Sequence, residues 1–163
     1  MADAVVVYTS QTGFTQRFAM QIAKRMHCPV LDIKFVTPRD LTEAQLVVYG
    51  GHMWAGRVGG FRAFYRQFKA VLPSRLLVFG TGVEASGQID YNAVRRRCFV
   101  DCQGKPQFFY FHGHIDPRTL PLRLKLVAAW QSRRDHQPAC SETGEIAPLL
   151  AAVRMYVDEA DMA

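Results

Sequence analysis

The stretch AVVVYTSQTGFTQRFAMQIAKRM, Ala4 to Met26, passes from an unbroken β-branched run into a short loop of small polar residues and then into an amphipathic pattern. AVVVY (4–8) reads as a strand buried on both faces, since a half-exposed strand would alternate. From position 15 to 27, Phe18, Ile22 and Met26 recur at helical spacing, with Ala19 and Ala23 beside them. Between the two lies TSQTGFT. A helix N-terminus exposes unpaired N–H groups and the positive end of the helix dipole. A loop of small residues lets those groups close around an anion, and the hydroxyls of Ser10, Thr12 and Thr15 add donors. Gly13 allows close backbone approach or a positive φ. No lysine follows the glycine, so the pattern is not that of a P-loop, and G-x-G-x-x-G is also missing. Dipoles without a fixed cation suit a single phosphate that stays bound. The plainer alternative is a simple N-cap, for which one Ser or Thr would suffice.

The same alternation continues along the chain. PVLDIKFV (29–36), LVVYGG (46–51), RLLVFGTG (75–82) and PQFFYFHGH (106–114) read as four further strands. Helical patterns occupy 59–72, 90–100 and 145–158, with a short turn or helix at 40–45. Pro148 falls in the first turn of the last helix, where proline is tolerated. Five strands alternating with helices predict an α/β three-layer sandwich with a parallel sheet in the order 2-1-3-4-5. In such open sheets ligands sit beyond the carboxyl ends of the strands. Three loops there, 9–15, 50–60 and 80–88, are rich in glycine and small polar residues.

The bulk numbers set limits. A chain of 163 residues suits one domain over 1–163, with an insert at about 113–144 before the last helix. No apolar run is long enough to span a bilayer, and the N-terminus lacks the basic start of a signal peptide, so a cytoplasmic protein is expected. Twenty Lys and Arg against fourteen Asp and Glu favour an anionic partner. Cys28, Cys98, Cys102 and Cys140 form no Cys-x-x-Cys pair, which predicts reduced thiols and no metal site. His112 and His114 lack a partner motif for a metal. The run Arg95–Arg97 reads as a solvated helix face, and no nucleic-acid-reading motif accompanies it.

SQTGFT (Ser10 to Thr15) resembles the phosphate loop of the flavodoxin superfamily, T/S-x-T-G-x-T, at every defined position. FHGHIDPRTLPLRLKLVAAW followed by TGEIAPLLAAVR is similar to the tail of the branch that includes menaquinone-dependent protoporphyrinogen oxidases. The resemblance implies FMN, with its phosphate held without a metal by Ser10, Gln11, Thr12, Gly13, Phe14 and Thr15. It implies that Met53 and Trp54 pack on the flavin ring, that the Ala55–Gly56 peptide answers to the ring's redox state, and that the backbone of Thr81, Gly82 and Val83 meets its pyrimidine edge. Trp54 alone also reads as a core tryptophan. The loop 80–88 lacks the acid-rich, aromatic wording usual in that family, having Glu84 and no aromatic before Tyr91, which leaves one ring face either open to a small planar substrate or covered by an aromatic from another segment.

Charge bears on redox direction. A cation ~10 Å from the ring, at an effective dielectric of ~40, contributes ~0.8 kcal/mol, or ~35 mV for one electron. A basic chain is therefore expected to hold a flavin more easily reduced than an acidic carrier does. Three functions follow as expectations. One is an FMN oxidoreductase acting on a quinone or porphyrinogen-type acceptor, with His52 and His114 as the available acid or base candidates and no assigned catalytic residue. The second is an electron carrier serving a protein partner. The third is a non-redox module binding another phosphate. The segment PLRLKLVAAWQSRRD (121–135) reads as a helix over the sheet edge, or less simply as a basic surface touching a membrane, a quinone or a protein.

Overall fold

A computed structural model describes residues 4–113 and 146–161, and the statements below concern those residues. The insert at 113–144, His114 and Cys140 lie almost entirely outside them. The elements run β1 (Ala4–Tyr8), α1 (Phe14–Met26), β2 (Val30–Asp32), α2 (Pro38–Thr42), β3 (Leu46–Trp54), β4 (Arg57–Val58), α3 (Phe61–Phe68), β5 (Arg75–Gly82), α4 (Tyr91–Cys98), β6 (Gln107–His112) and α5 (Ala147–Asp161). The main sheet has the order β2-β1-β3-β5-β6, all pairs parallel, with β4 folded back antiparallel on β3. With the β4 hairpin set aside, this is the predicted 2-1-3-4-5 arrangement.

The β-branched runs form the central strands because both of their faces are covered. On one face α1 and α5 bring Phe18, Ile22 and Leu149 against Val6, Val48, Phe79 and Phe111. On the other, α2, α3 and α4 bring Leu41, Phe61, Phe64 and Val94 against Val7, Val47, Tyr49 and Val78. Phe18 stacks on Phe111 at 5.2 Å and Tyr49 on Phe64 at 4.7 Å, so aromatic pairs tie each helix layer to the sheet.

Two elements depart from the sequence expectation. The strand expected at 29–36 ends at Asp32, whose carboxylate accepts the Lys34 N–H at 2.9 Å and turns the chain into a short 3₁₀ segment, Ile33–Phe35. A Thr37–Asp40 capping box with Pro38 at the first helical position then starts α2. The strand expected at 46–51 runs on to Trp54. Gly50 does not stop it; a Cβ there would overlap the Phe79 ring, so the glycine serves close packing between β3 and β5. The glycine-rich segment 50–60 is therefore a β-hairpin rather than an open loop.

Candidate functional site at the carboxyl ends of the strands

The loop after β1 is drawn alongside β3 by a hydrogen bond from Thr9 N–H to the Gly50 carbonyl at 3.0 Å. Gly13 then takes φ 81°, a left-handed conformation that favours glycine, and stands as the N-cap of α1. No side chain caps this helix, and no acid occupies its first turn. The Ser10 hydroxyl accepts the Gly13 N–H at 2.9 Å, which fixes the loop and leaves the hydroxyl proton free to donate. A Cβ built at Gly13 would meet nothing within 4 Å, so space opens directly over the uncapped turn. Thr12 is half-buried and Gln11 exposed at its margin.

The other residues of this loop have different duties. Phe14 is buried and packs edge-on against Phe18 at 5.3 Å, leaving only its backbone N–H for the site. Thr15 is 2% exposed, and its hydroxyl lies 2.8 Å from that of Thr81, itself 1% exposed. This buried bond joins the first turn of α1 to the end of β5 across 66 positions of sequence. Gly82 and Val83 follow Thr81 at the rim; the Gly82 carbonyl accepts from Gly113 N–H at 3.0 Å, and His112 Nε2 lies 3.2 Å from the Val83 carbonyl. Tyr110 donates its hydroxyl to the Glu84 carbonyl at 2.8 Å. These ties leave the 82–84 carbonyls facing β6 and hold the backbone beside Thr81 in place. Tyr91 lies away from this rim, its ring edge-on to Phe108 near the start of β6.

The hairpin supplies the third wall. Trp54 pairs with Arg57 across a two-residue turn in which Ala55 (φ 49°) and Gly56 (φ 71°) both take positive φ, the hairpin geometry that suits strand twist. Trp54 is 69% exposed, which removes the core reading of this residue. Met53 is half-buried against the α3/α4 layer. The Ala55 carbonyl accepts from Arg97 Nη1 at 2.7 Å, and Cys98 Sγ accepts the Val58 N–H at 3.3 Å. The last turn of α4 thus grips the hairpin from a point 42 residues away. Nothing in the local wording of MWAG or RRRC signals this contact, which joins segments far apart in sequence.

His52 stands beside Thr81 in the β3–β5 register. Its Nδ1 is buried and has no hydrogen-bond partner among the described residues. Burial pushes its pKa below the ordinary value of 6.5 and keeps the ring neutral. A Cβ at Gly59 would lie 2.5 Å from the imidazole Cε1, so the glycine makes room for the ring. Burial also raises the thiols of Cys28 and Cys102 to about 11, which keeps them unreactive. The described residues contain no His, Cys, Asp and Glu group able to hold a metal, and no described helix is long and apolar enough to cross a membrane.

No family model and no curated protein matches this sequence. Solved structures do resemble it. A WrbA-like flavodoxin from Agrobacterium tumefaciens superposes with a TM-score of 0.50 at 17% identity, covering 82% of this chain and 94% of that one. The Megasphaera elsdenii flavodoxin gives 0.51 at 17% identity, covering 67% and 83%. The chain has the flavodoxin fold. A Lactobacillus acidophilus flavoprotein of the same fold, solved in complex with FMN, gives 0.50 at 12% identity and covers 68% and 91%. In this flavodoxin-like chain the uncapped α1 turn, the Thr15–Thr81 junction and the exposed Trp54 all lie at the carboxyl end of the parallel sheet.

Proposed function

We propose that this chain binds FMN at the carboxyl edge of its sheet and relays electrons between a donor and a small planar acceptor of the quinone or porphyrinogen type. The observation that carries the reading is the uncapped first turn of α1, opened by a left-handed Gly13 with empty space beside it and a Ser10 hydroxyl already oriented. A phosphate monoester fits this donor set, because the free N–H groups and the helix dipole balance its charge without a cation. Ser10, Thr12 and the backbone from Gln11 to Thr15 would hold it. Trp54 offers an exposed indole face for a ring, and the backbone at Thr81, Gly82 and Val83 offers polar groups at the opposite rim.

When bound, FMN supplies one- and two-electron chemistry. The chain's own part is to bind, orient and shield. The Thr15–Thr81 bond keeps the phosphate turn and the β5 rim at a set separation. Arg97 fixes the turn that carries Trp54. His52, neutral and with one unpartnered nitrogen, is the titratable group best placed beside Thr81 to take or give a proton. The likeness of the C-terminal stretch to the protoporphyrinogen oxidase branch supports a small-molecule acceptor, though most of that stretch lies outside the described residues. The basic surface near Trp54 favours a second reading, a carrier exchanging electrons with a protein.

Calorimetry with FMN and with riboflavin tests the site. FMN is expected to bind at least about a hundredfold more tightly, the difference being the phosphate, since charge-assisted hydrogen bonds contribute roughly 1.5–3 kcal/mol each. Equal affinity for the two, or no binding of either, would remove the proposal. Anaerobic reductive titration of the yellow complex, followed by steady reoxidation with a soluble quinone, separates enzyme from carrier.

A further inference from the structure

The chain's net charge is concentrated in one segment. Residues 57 to 105 carry nine Lys or Arg and three Asp or Glu, a surplus of six that equals the charge of the whole chain. That segment contains β4, α3 and α4, which lie on one side of the sheet. On α3, Phe61, Phe64 and Phe68 are buried, which turns Arg62, Arg66 and Lys69 outward as one stripe. The flank bearing this stripe faces the end of α4. Arg62 pairs with Asp101 at 3.4 Å, and the Tyr65 hydroxyl accepts the Gln103 N–H at 2.9 Å. On α4, Val94 and Cys98 face the core and Arg95, Arg96 and Arg97 are exposed. Burial holds the Cys98 thiol above its ordinary value against the opposing pull of the Val58 N–H and, more weakly, of Arg57, Arg62 and Arg97. Beside them stand two exposed apolar side chains, Trp54 at 69% and Val100 at 67%.

We infer that this face, formed by the β3–β4 hairpin, the α3 stripe and the outer side of α4, is the docking surface for an acidic redox protein. Six of the seven cations named here are arginines, whose planar forks pair with carboxylates in two parallel hydrogen bonds. An exposed tryptophan with Arg57 opposite it in the hairpin and Arg97 on the adjoining turn combines the residue types enriched at interfaces. Nucleic acid and anionic lipid share the charge preference, but neither accounts for a patch that ends at the hairpin bounding the proposed cofactor site. Docking there brings a partner to the rim formed by Trp54. The partner's redox character rests on the function proposed above; its acidity rests on this surface alone.

The probe is an acidic plant-type [2Fe–2S] ferredoxin, with basic cytochrome c as control, each titrated against the FMN-supplemented chain at about 50 mM salt. The ferredoxin is expected to bind, to lose about tenfold in affinity by about 300 mM salt, and cytochrome c is expected not to bind. Arg62→Glu/Arg66→Glu is expected to weaken ferredoxin binding at least about tenfold, while Arg62→Lys/Arg66→Lys retains most of it. A single cooperative thermal transition and an unchanged FMN affinity in both variants show that each is folded. Absence of ferredoxin binding, an unchanged affinity in the glutamate variant, or tighter binding of a single-stranded oligonucleotide or a phosphatidylserine vesicle at the same salt would overturn the inference. Ferredoxin binding by a chain that takes up no FMN would support the surface and overturn the cofactor reading.

Discussion

At the scale of single residues, Gly13 and His52 matter most. Gly13 holds φ 81° at the mouth of the site. Gly13→Ala meets no steric obstacle, so its cost is conformational, about 1–2 kcal/mol for a left-handed alanine. The added methyl also enters the space assigned to the phosphate. The variant is expected to lose about 1 kcal/mol in urea denaturation but at least tenfold in FMN affinity, a split that a purely structural glycine would not produce. His52 makes a different prediction. Its folded pKa lies below the ordinary value of 6.5 because burial penalises the charged ring. The unfolded chain therefore takes up a proton that the folded chain refuses, and stability falls as pH drops below about 6.5. Above that value the contribution is complete. Replacing the ring by asparagine, His52→Asn, should shrink the loss of urea midpoint between pH 7.5 and pH 5.5; an equal loss in both proteins would show that other groups govern it. The left-handed conformation of Gly13 was legible in SQTGFT, because a glycine at a strand-to-helix turn is a local device. The depressed pKa of His52 was not, since its cause is a ring enclosed by the backbone of Gly59 and the neighbouring strand.

At the scale of elements, the β3–β4 hairpin shows where reading along the chain fails. GGHMWAGRVGG looks like a flexible loop because glycines usually interrupt strands. Here Gly50 makes space for Phe79, a residue of another strand, and β3 continues to Trp54. The hairpin's turn is then held by Arg97 and Cys98 of α4. Removing the guanidinium, Arg97→Ala, deletes one charged hydrogen bond at an exposed site and should cost only about 0.5–1 kcal/mol in global stability. The local effect should be larger. Amide exchange at Ala55–Val58 should accelerate about tenfold, and Trp54 fluorescence anisotropy should fall, because the turn loses its anchor. Unchanged exchange in the variant would mean the hairpin is self-supporting. The Thr15–Thr81 bond is a second joint between elements. Thr15→Val and Thr81→Val should each destabilise by about 1–3 kcal/mol, because each leaves one buried hydroxyl unpaired, and the double variant should cost less than their sum.

At the scale of the whole molecule, the exposed cations of β4, α3 and α4 sit on one layer of the sandwich, beside the proposed cofactor edge. If FMN binds there, nearby cations favour added negative charge on it, and its reduction potential should lie above that of acidic flavodoxins and fall as salt is raised. Spectroelectrochemistry at two ionic strengths checks this; a potential as low as theirs would refute it. The doubly covered parallel sheet and its strand order were readable from sequence alone, because AVVVY, LVVY and RLLVF are continuous apolar runs and only strands buried on both faces tolerate them. The polar turn between β1 and α1 was readable because its residues are consecutive. What only the tertiary structure decided are the contacts between distant residues: Thr15 with Thr81, Arg97 with Ala55, Val58 with Cys98, and Arg62 with Asp101. Local pattern reports the period and polarity of one segment, whereas those contacts depend on how the sheet's crossovers stack separate segments in space.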